Sequence, residues 1–184
     1  MNQQEKKVNL KIRELCFIAL FTAVMAVMAQ ISVPMPLGVP LTLQTLALML
    51  AGVILGAKKA VIASLVYLAL GAAGAPVFTQ FGGGLHRIIG PWGGFLMSYP
   101  VVSFIVGLGS DTGKKLRLAV SLAAGVIINL MMGTLWFAFI NKSGLPEAFA
   151  AAAAPFIIAE IIKMILAFGA GSSVLNILKK NALI

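Results

Sequence analysis

Glu160 and Lys163 are the residues of this chain whose type and spacing most directly invite chemistry. They stand inside Pro155-Phe-Ile-Ile-Ala-Glu-Ile-Ile-Lys-Met-Ile-Leu-Ala-Phe-Gly169, a stretch that otherwise dissolves in lipid. A separation of three residues puts both side chains on one face of a helix, within touching distance. Charged groups at membrane depth are costly and turn toward protein or a wet cavity. A carboxylate acceptor beside an ammonium donor suits a small molecule that carries N–H groups and a carbonyl or anionic oxygen. The competing reading is an ion pair that only locks one helix to its neighbours. Two ionised groups are an expensive way to make a packing contact, which favours a site.

Other polar residues fall where they could join such a site. His86 and Arg87 lie in a Gly-rich stretch, where Arg87 either snorkels to the membrane surface or attracts an anionic solute. Thr42, Gln44 and Gln80 add hydrogen-bonding groups at segment edges. Asn129 has Gly125 and Gly133 four residues to either side. That stripe reads first as helix packing with a buried interhelical hydrogen bond, and second as a ligand contact. Ala19, Ala23 and Ala26 form a small-residue stripe that lets another helix approach, either in the same chain or in a partner protein.

The elements that must carry these residues are membrane spans. Of 184 residues, 60% are hydrophobic and 10% charged, with mean hydropathy +1.03. Soluble domains have roughly 45–50% apolar and about 25% charged residues. Six apolar segments follow one another: about Leu15 to Ile31, Leu41 to Gly56, Ala60 to Ala73, Trp92 to Leu108, Leu118 to Ile140 and Pro155 to Leu178. The expectation is an all-α polytopic membrane protein, one six-helix domain over residues 1–184 with a short cytoplasmic segment 1–13. The basic residues before the first apolar run resemble a signal peptide, but the run is long and further spans follow, so it reads as a retained helix.

Net charge is +9, which in a soluble protein would suggest nucleic acid. Here the positive residues sit between apolar runs. Lys6, Lys7, Lys11 and Arg13 precede the first segment, Lys58 and Lys59 the third, Lys114, Lys115 and Arg117 the fifth, and Lys179 and Lys180 follow the sixth. With six spans all four clusters share one side, against Arg87 and Lys142 on the other. Basic loops stay cytoplasmic, so both termini are expected inside the cytoplasmic membrane and no nucleic-acid partner is expected. The loops 32–40, 71–91 and 141–154 are then outside. Glu160 lies roughly 8 Å below the start of its helix, in the outer half of the membrane.

Catalytic readings fare poorly. Gly109-Ser-Asp-Thr-Gly-Lys-Lys115 has the wrong glycine spacing for a phosphate loop and a lysine where magnesium needs Ser or Thr. One His and one Cys exclude the usual zinc sites, and the five acids form no metal cluster. Asn141-Lys-Ser143 matches a glycosylation pattern by chance. No cofactor, metal or catalytic residue is expected.

Several motifs together resemble the biotin transporter family BioY. They are Pro34-Met-Pro-Leu-Gly-Val-Pro-Leu-Thr-Leu-Gln-Thr45, Leu50-Ala-Gly-Val-Ile-Leu-Gly56, Tyr67-Leu-Ala-Leu-Gly-Ala-Ala-Gly-Ala-Pro-Val-Phe78 and Gly90-Pro-Trp-Gly-Gly-Phe-Leu96. The resemblance spans nearly the whole chain. It implies the substrate-binding S component of an energy-coupling factor transporter, which captures biotin at the outer face. A transmembrane coupling protein and two cytoplasmic ATPases would supply the energy. It further implies docking on the coupling protein through small residues of the first helix, here Ala19 and Ala23. The family's acid and lysine on the sixth helix map onto Glu160 and Lys163, with Glu in place of the usual Asp. Trp92 and Phe95 stand where the family has Thr and Tyr. On this resemblance Glu160 accepts the ureido N–H groups of biotin, and Lys163 meets either the ureido oxygen or the tail carboxylate. Gln44 and Gln80 complete the polar contacts, and Trp92, Phe78 and Phe81 flank the rings. The alternatives are the same fold with another small vitamin, or an intramembrane enzyme using Glu160 as acid or base.

Overall fold

The computed structural model describes residues 3–33 and 40–181, with side chains in the first helix from Lys11 onward. The Pro-rich motif 34–39, the greater part of the proposed outer loop 32–40, lies outside the described residues, as do the side chains of Lys6 and Lys7. Helices dominate: α1 (Gln3–Gln30), α2 (Gln44–Leu55), α3 (Ala57–Ala72), α4 (Leu85–Ile89), α5 (Gly93–Asp111), α6 (Lys115–Asn141), α7 (Leu145–Ala152) and α8 (Ile157–Lys180). A two-residue hairpin pairs β1 (Ser32–Val33) with β2 (Leu41–Thr42).

Each of the six apolar segments falls on one long helix, α1, α2, α3, α5, α6 and α8. By length and apolarity, four helical stretches are able to cross a membrane: Lys11–Gln30, Gly93–Asp111, Lys115–Asn141 and Leu145–Lys180. The 12 residues of α2 make a rod of about 18 Å, and the 16 of α3 one of about 24 Å. Two short helices were not anticipated. α4 lies within the Gly-rich stretch and α7 within 141–154, read from sequence as plain loops.

α2 is the hub. Ten of its residues are buried, and it packs against α1, α3, α5 and α8. Helices approach closely where a side chain is missing. A Cβ on Gly107 of α5 would lie 2.3 Å from the backbone of Ala57, so this glycine lets α5 touch the start of α3. At the same place Asp111 accepts the Ala57 N–H at 3.1 Å, capping α3, and Lys59 pairs with Glu14 of α1 at 3.0 Å. Further along α8, Gly171 meets Val53 near the end of α2. The described basic clusters therefore gather at one end of the bundle. On α8 the buried residues Glu160, Lys163, Ala167 and Gly171 repeat at three and four, a stripe facing the hub.

Candidate functional site

The other end of the bundle holds a cavity of about 420 Å³. The first turn of α2 supplies Gln44 and Thr45, α8 supplies Glu160 and Lys163, and α5 and α6 supply Tyr99 and Asn129. Its mouth is formed by Arg87 of α4 and by Trp92, which stands immediately before α5.

The charged pair is joined by a third residue. Lys163 Nζ donates to Glu160 Oε1 at 2.6 Å and to Thr45 Oγ1 at 2.9 Å, and Thr45 Oγ1 lies 2.8 Å from Glu160 Oε1. Glu160 and Lys163 are each 4% exposed. The second carboxylate oxygen, Glu160 Oε2, is buried with no hydrogen-bond partner. An unsatisfied buried acceptor costs roughly 1–3 kcal/mol, and more when it is charged, unless a donor reaches it. The carboxylate thus keeps one acceptor oxygen without a donor beside the cavity wall.

A second polar group flanks the first. Gln44 donates its amide to the Tyr67 hydroxyl, and Tyr67 donates onward to Val77 O at 3.0 Å. Gln44 Oε1 accepts from Thr79 Oγ1 at 3.2 Å and from Thr42 Oγ1 at 3.3 Å. Asn129 makes the interhelical hydrogen bond expected of it from sequence. Its Oδ1 accepts from Ser98 Oγ at 2.7 Å, tying α6 to α5, and the residue also lines the cavity. Gly133, one turn on, leaves room for the Phe95 ring, since a Cβ there would meet it at 2.2 Å.

Aromatic rings make the apolar wall. Trp92 stacks on Phe137 with centroids 4.7 Å apart, and Phe78 meets Tyr67 edge-on at 5.5 Å. Trp92 and Phe95 both line the cavity, so the two absent hydroxyls leave an aromatic surface there. Arg87 is exposed at the mouth and has no acidic partner among the described residues.

Glu160, Lys163, Gln44, Arg87, Trp92, Phe78 and Asn129 thus converge on one cavity. Gln80 does not, and neither does Phe81. They sit at the tip of a tight turn closed by Phe78 N–H to Gly82 O at 2.9 Å, with φ of +58° and +52°, and that backbone carries both side chains outward. Thr79, beside them, is the member that reaches the cavity. Thr45, Tyr67 and Tyr99 were not singled out from sequence. Their signal was a hydroxyl within an apolar span. Ala19 and Ala23 are exposed on α1 and Ala26 is half-buried, so the stripe faces outward over its first part.

A family model for BioY matches residues 1–180. The chain belongs to the BioY family. Among relatives, it is 41% identical over 154 residues to the probable biotin transporter BioY of Pyrococcus horikoshii, covering 84% of this chain and 91% of that one. It is 37% identical over 160 residues to biotin transporter BioY2 of Lactococcus lactis, covering 86% and 87%. Among solved structures it resembles the S component for biotin from an ECF-type ABC transporter, with TM-score 0.81, 27% identity and coverage of 98% and 95%. BioY proteins are transporters, which sets aside the intramembrane enzyme reading.

Proposed function

We propose that this chain captures biotin for uptake across the cell membrane as the substrate-specific S component of an energy-coupling factor transporter. The observation that carries the reading is the buried Glu160–Lys163–Thr45 group in the wall of a cavity of about 420 Å³, with one Glu160 oxygen tied to Lys163 and Thr45 and the other left without a donor. Biotin presents two ureido N–H donors to that acceptor and a carbonyl oxygen to Lys163. Its sulfur ring matches the aromatic wall, and its carboxylate matches the uncompensated Arg87. Biotin is cargo here, with no cofactor role. The test is isothermal titration of detergent-purified protein with biotin against a panel of other heterocyclic vitamins. Saturable binding of biotin alone is expected, and preference for another vitamin overturns the substrate.

Arg87 sits in the open, where a single ion pair contributes up to about 1 kcal/mol. Arg87→Gln is therefore expected to slow biotin association about two- to fivefold and to flatten its salt dependence, with biotinamide, which lacks the charge, unaffected. Stopped-flow association in low and high salt checks this.

We further read six spans with both termini cytoplasmic. The gathering of the described basic clusters opposite the cavity supports this sidedness. α2 and α3 complete their crossings with the hairpin and with the 73–91 segment, which includes the short α4. Terminal epitope tags should resist protease in right-side-out vesicles and be cut in inverted ones; the reverse pattern overturns the orientation. A transmembrane coupling protein and two cytoplasmic ATPases are the implied partners, with exposed Ala19 and Ala23 as the docking face, surrounded by lipid.

A further inference from the structure

Gln30, the last residue of α1, does not line the cavity, yet its amide holds a segment that does. Nε2 donates to Phe78 O at 3.1 Å, with Val77 O at 3.4 Å, and Oε1 accepts the Phe81 N–H at 2.8 Å. A contact to Ala26 O at 3.1 Å anchors the same amide to its own helix. The held turn is strained. Gln80 and Phe81 both have positive φ, a conformation that costs non-glycine residues roughly 1–2 kcal/mol each and persists only where the surroundings impose it. Their side chains impose little, since both are exposed. What remains is the Phe78–Gly82 bridge, the Gly82 N–H to Thr79 O bond at 3.2 Å and the Gln30 amide.

The residues entering this turn form part of the cavity wall. Phe78 is 2% exposed, wedged against Tyr67 and over Gly71, and Thr79 donates to Gln44. We propose that Gln30 is a positioning residue for the cavity: by holding the strained turn it fixes the Phe78–Thr79 wall and slows ligand release. The release part rests on the biotin reading above; the grip on the turn does not.

Two measurements test it, the dissociation rate of radiolabelled biotin and backbone hydrogen exchange over residues 77–82. Gln30→Ala removes hydrogen bonds on both sides of the turn. It should speed release about tenfold while association stays within about twofold, and exchange at the turn should rise. Thr22→Val separates this from a general loosening of α1. Thr22 ties α1 to α3 through Ala63 O at 3.2 Å and lies outside the cavity lining, so its loss should lower thermal stability with release unchanged. Parent-like release from Gln30→Ala, or equal acceleration by Thr22→Val, overturns the proposal. A parent chain that bound no biotin would defeat the functional reading instead. Exchange would then decide the grip alone, faster exchange in Gln30→Ala supporting it and unchanged exchange overturning it.

Discussion

Glu160→Gln is expected to weaken biotin binding about 100-fold, the effect of losing a hydrogen bond to a charged acceptor together with the charge that holds Lys163. The neutral amide would turn an N–H₂ toward one of the two partners Glu160 serves, Lys163 and the guest. Lys163 would keep Thr45 Oγ1 at 2.9 Å but lose the one buried counter-charge it has among the described residues. Breaking a buried pair from one side typically costs about 3–5 kcal/mol, whereas replacing both members with well-packed apolar residues is often neutral. The single variant should therefore also melt earlier. The double variant Glu160→Gln, Lys163→Met should recover most of that stability and still fail to bind. Titration calorimetry with thermal melts separates the two roles. Tight biotin binding retained by the double variant would mean that the pair serves the fold alone.

The second large effect concerns assembly. Gly107→Ala is expected to destabilise the bundle by about 1–3 kcal/mol, the usual cost of overpacking, and Gly107→Leu to prevent folding into the native helix arrangement. The obstacle is backbone: Ala57 Cα and N each lie 2.3 Å from where a Cβ would stand. No rotamer change relieves that contact. The start of α3 would have to move, taking Ala57 N away from Asp111 Oδ2. Denaturant titration of the purified variants in detergent measures the loss, and an unchanged midpoint for Gly107→Ala would show that α5 and α3 have slack there.

The sequence disclosed its long helices because each is a mainly apolar run bounded by charge, Gly or Pro, and Lys58-Lys59 marks the α2–α3 junction without help from geometry. Glu160 and Lys163 were equally plain, as the only opposite charges within one apolar run. Thr45 was hidden because a lone threonine in such a helix commonly bonds its own backbone; only the crossing of α2 and α8 gives it Lys163 as a partner. Gly107 was hidden for the same reason, since nothing local tells a packing glycine from an incidental one. Gln30 joins residues 47 to 51 positions away. α7 did carry a start signal, Gly144 and Pro146 followed by Glu147, whose carboxylate takes the Gly144 N–H at 3.3 Å. Its body is only eight residues long, so its buried face shows as just Ala148 and Ala152 and no repeat builds up to confirm it. Gln80 misled because residue type says nothing of the left-handed turn that swings it away.

α2 is a short central post, 12 residues against 16 to 28 in the other long helices. α1 ends level with its start, where Leu43 N–H meets Ile31 O at 3.2 Å, and the cavity opens over its first turn at Gln44 and Thr45. Such a chamber arises from where one helix begins, with no need to whittle large residues down to small ones along its walls. Its depth is then a matter of counting turns. Adding one to the top of α2 would raise the floor by about 5 Å and fill the chamber from below.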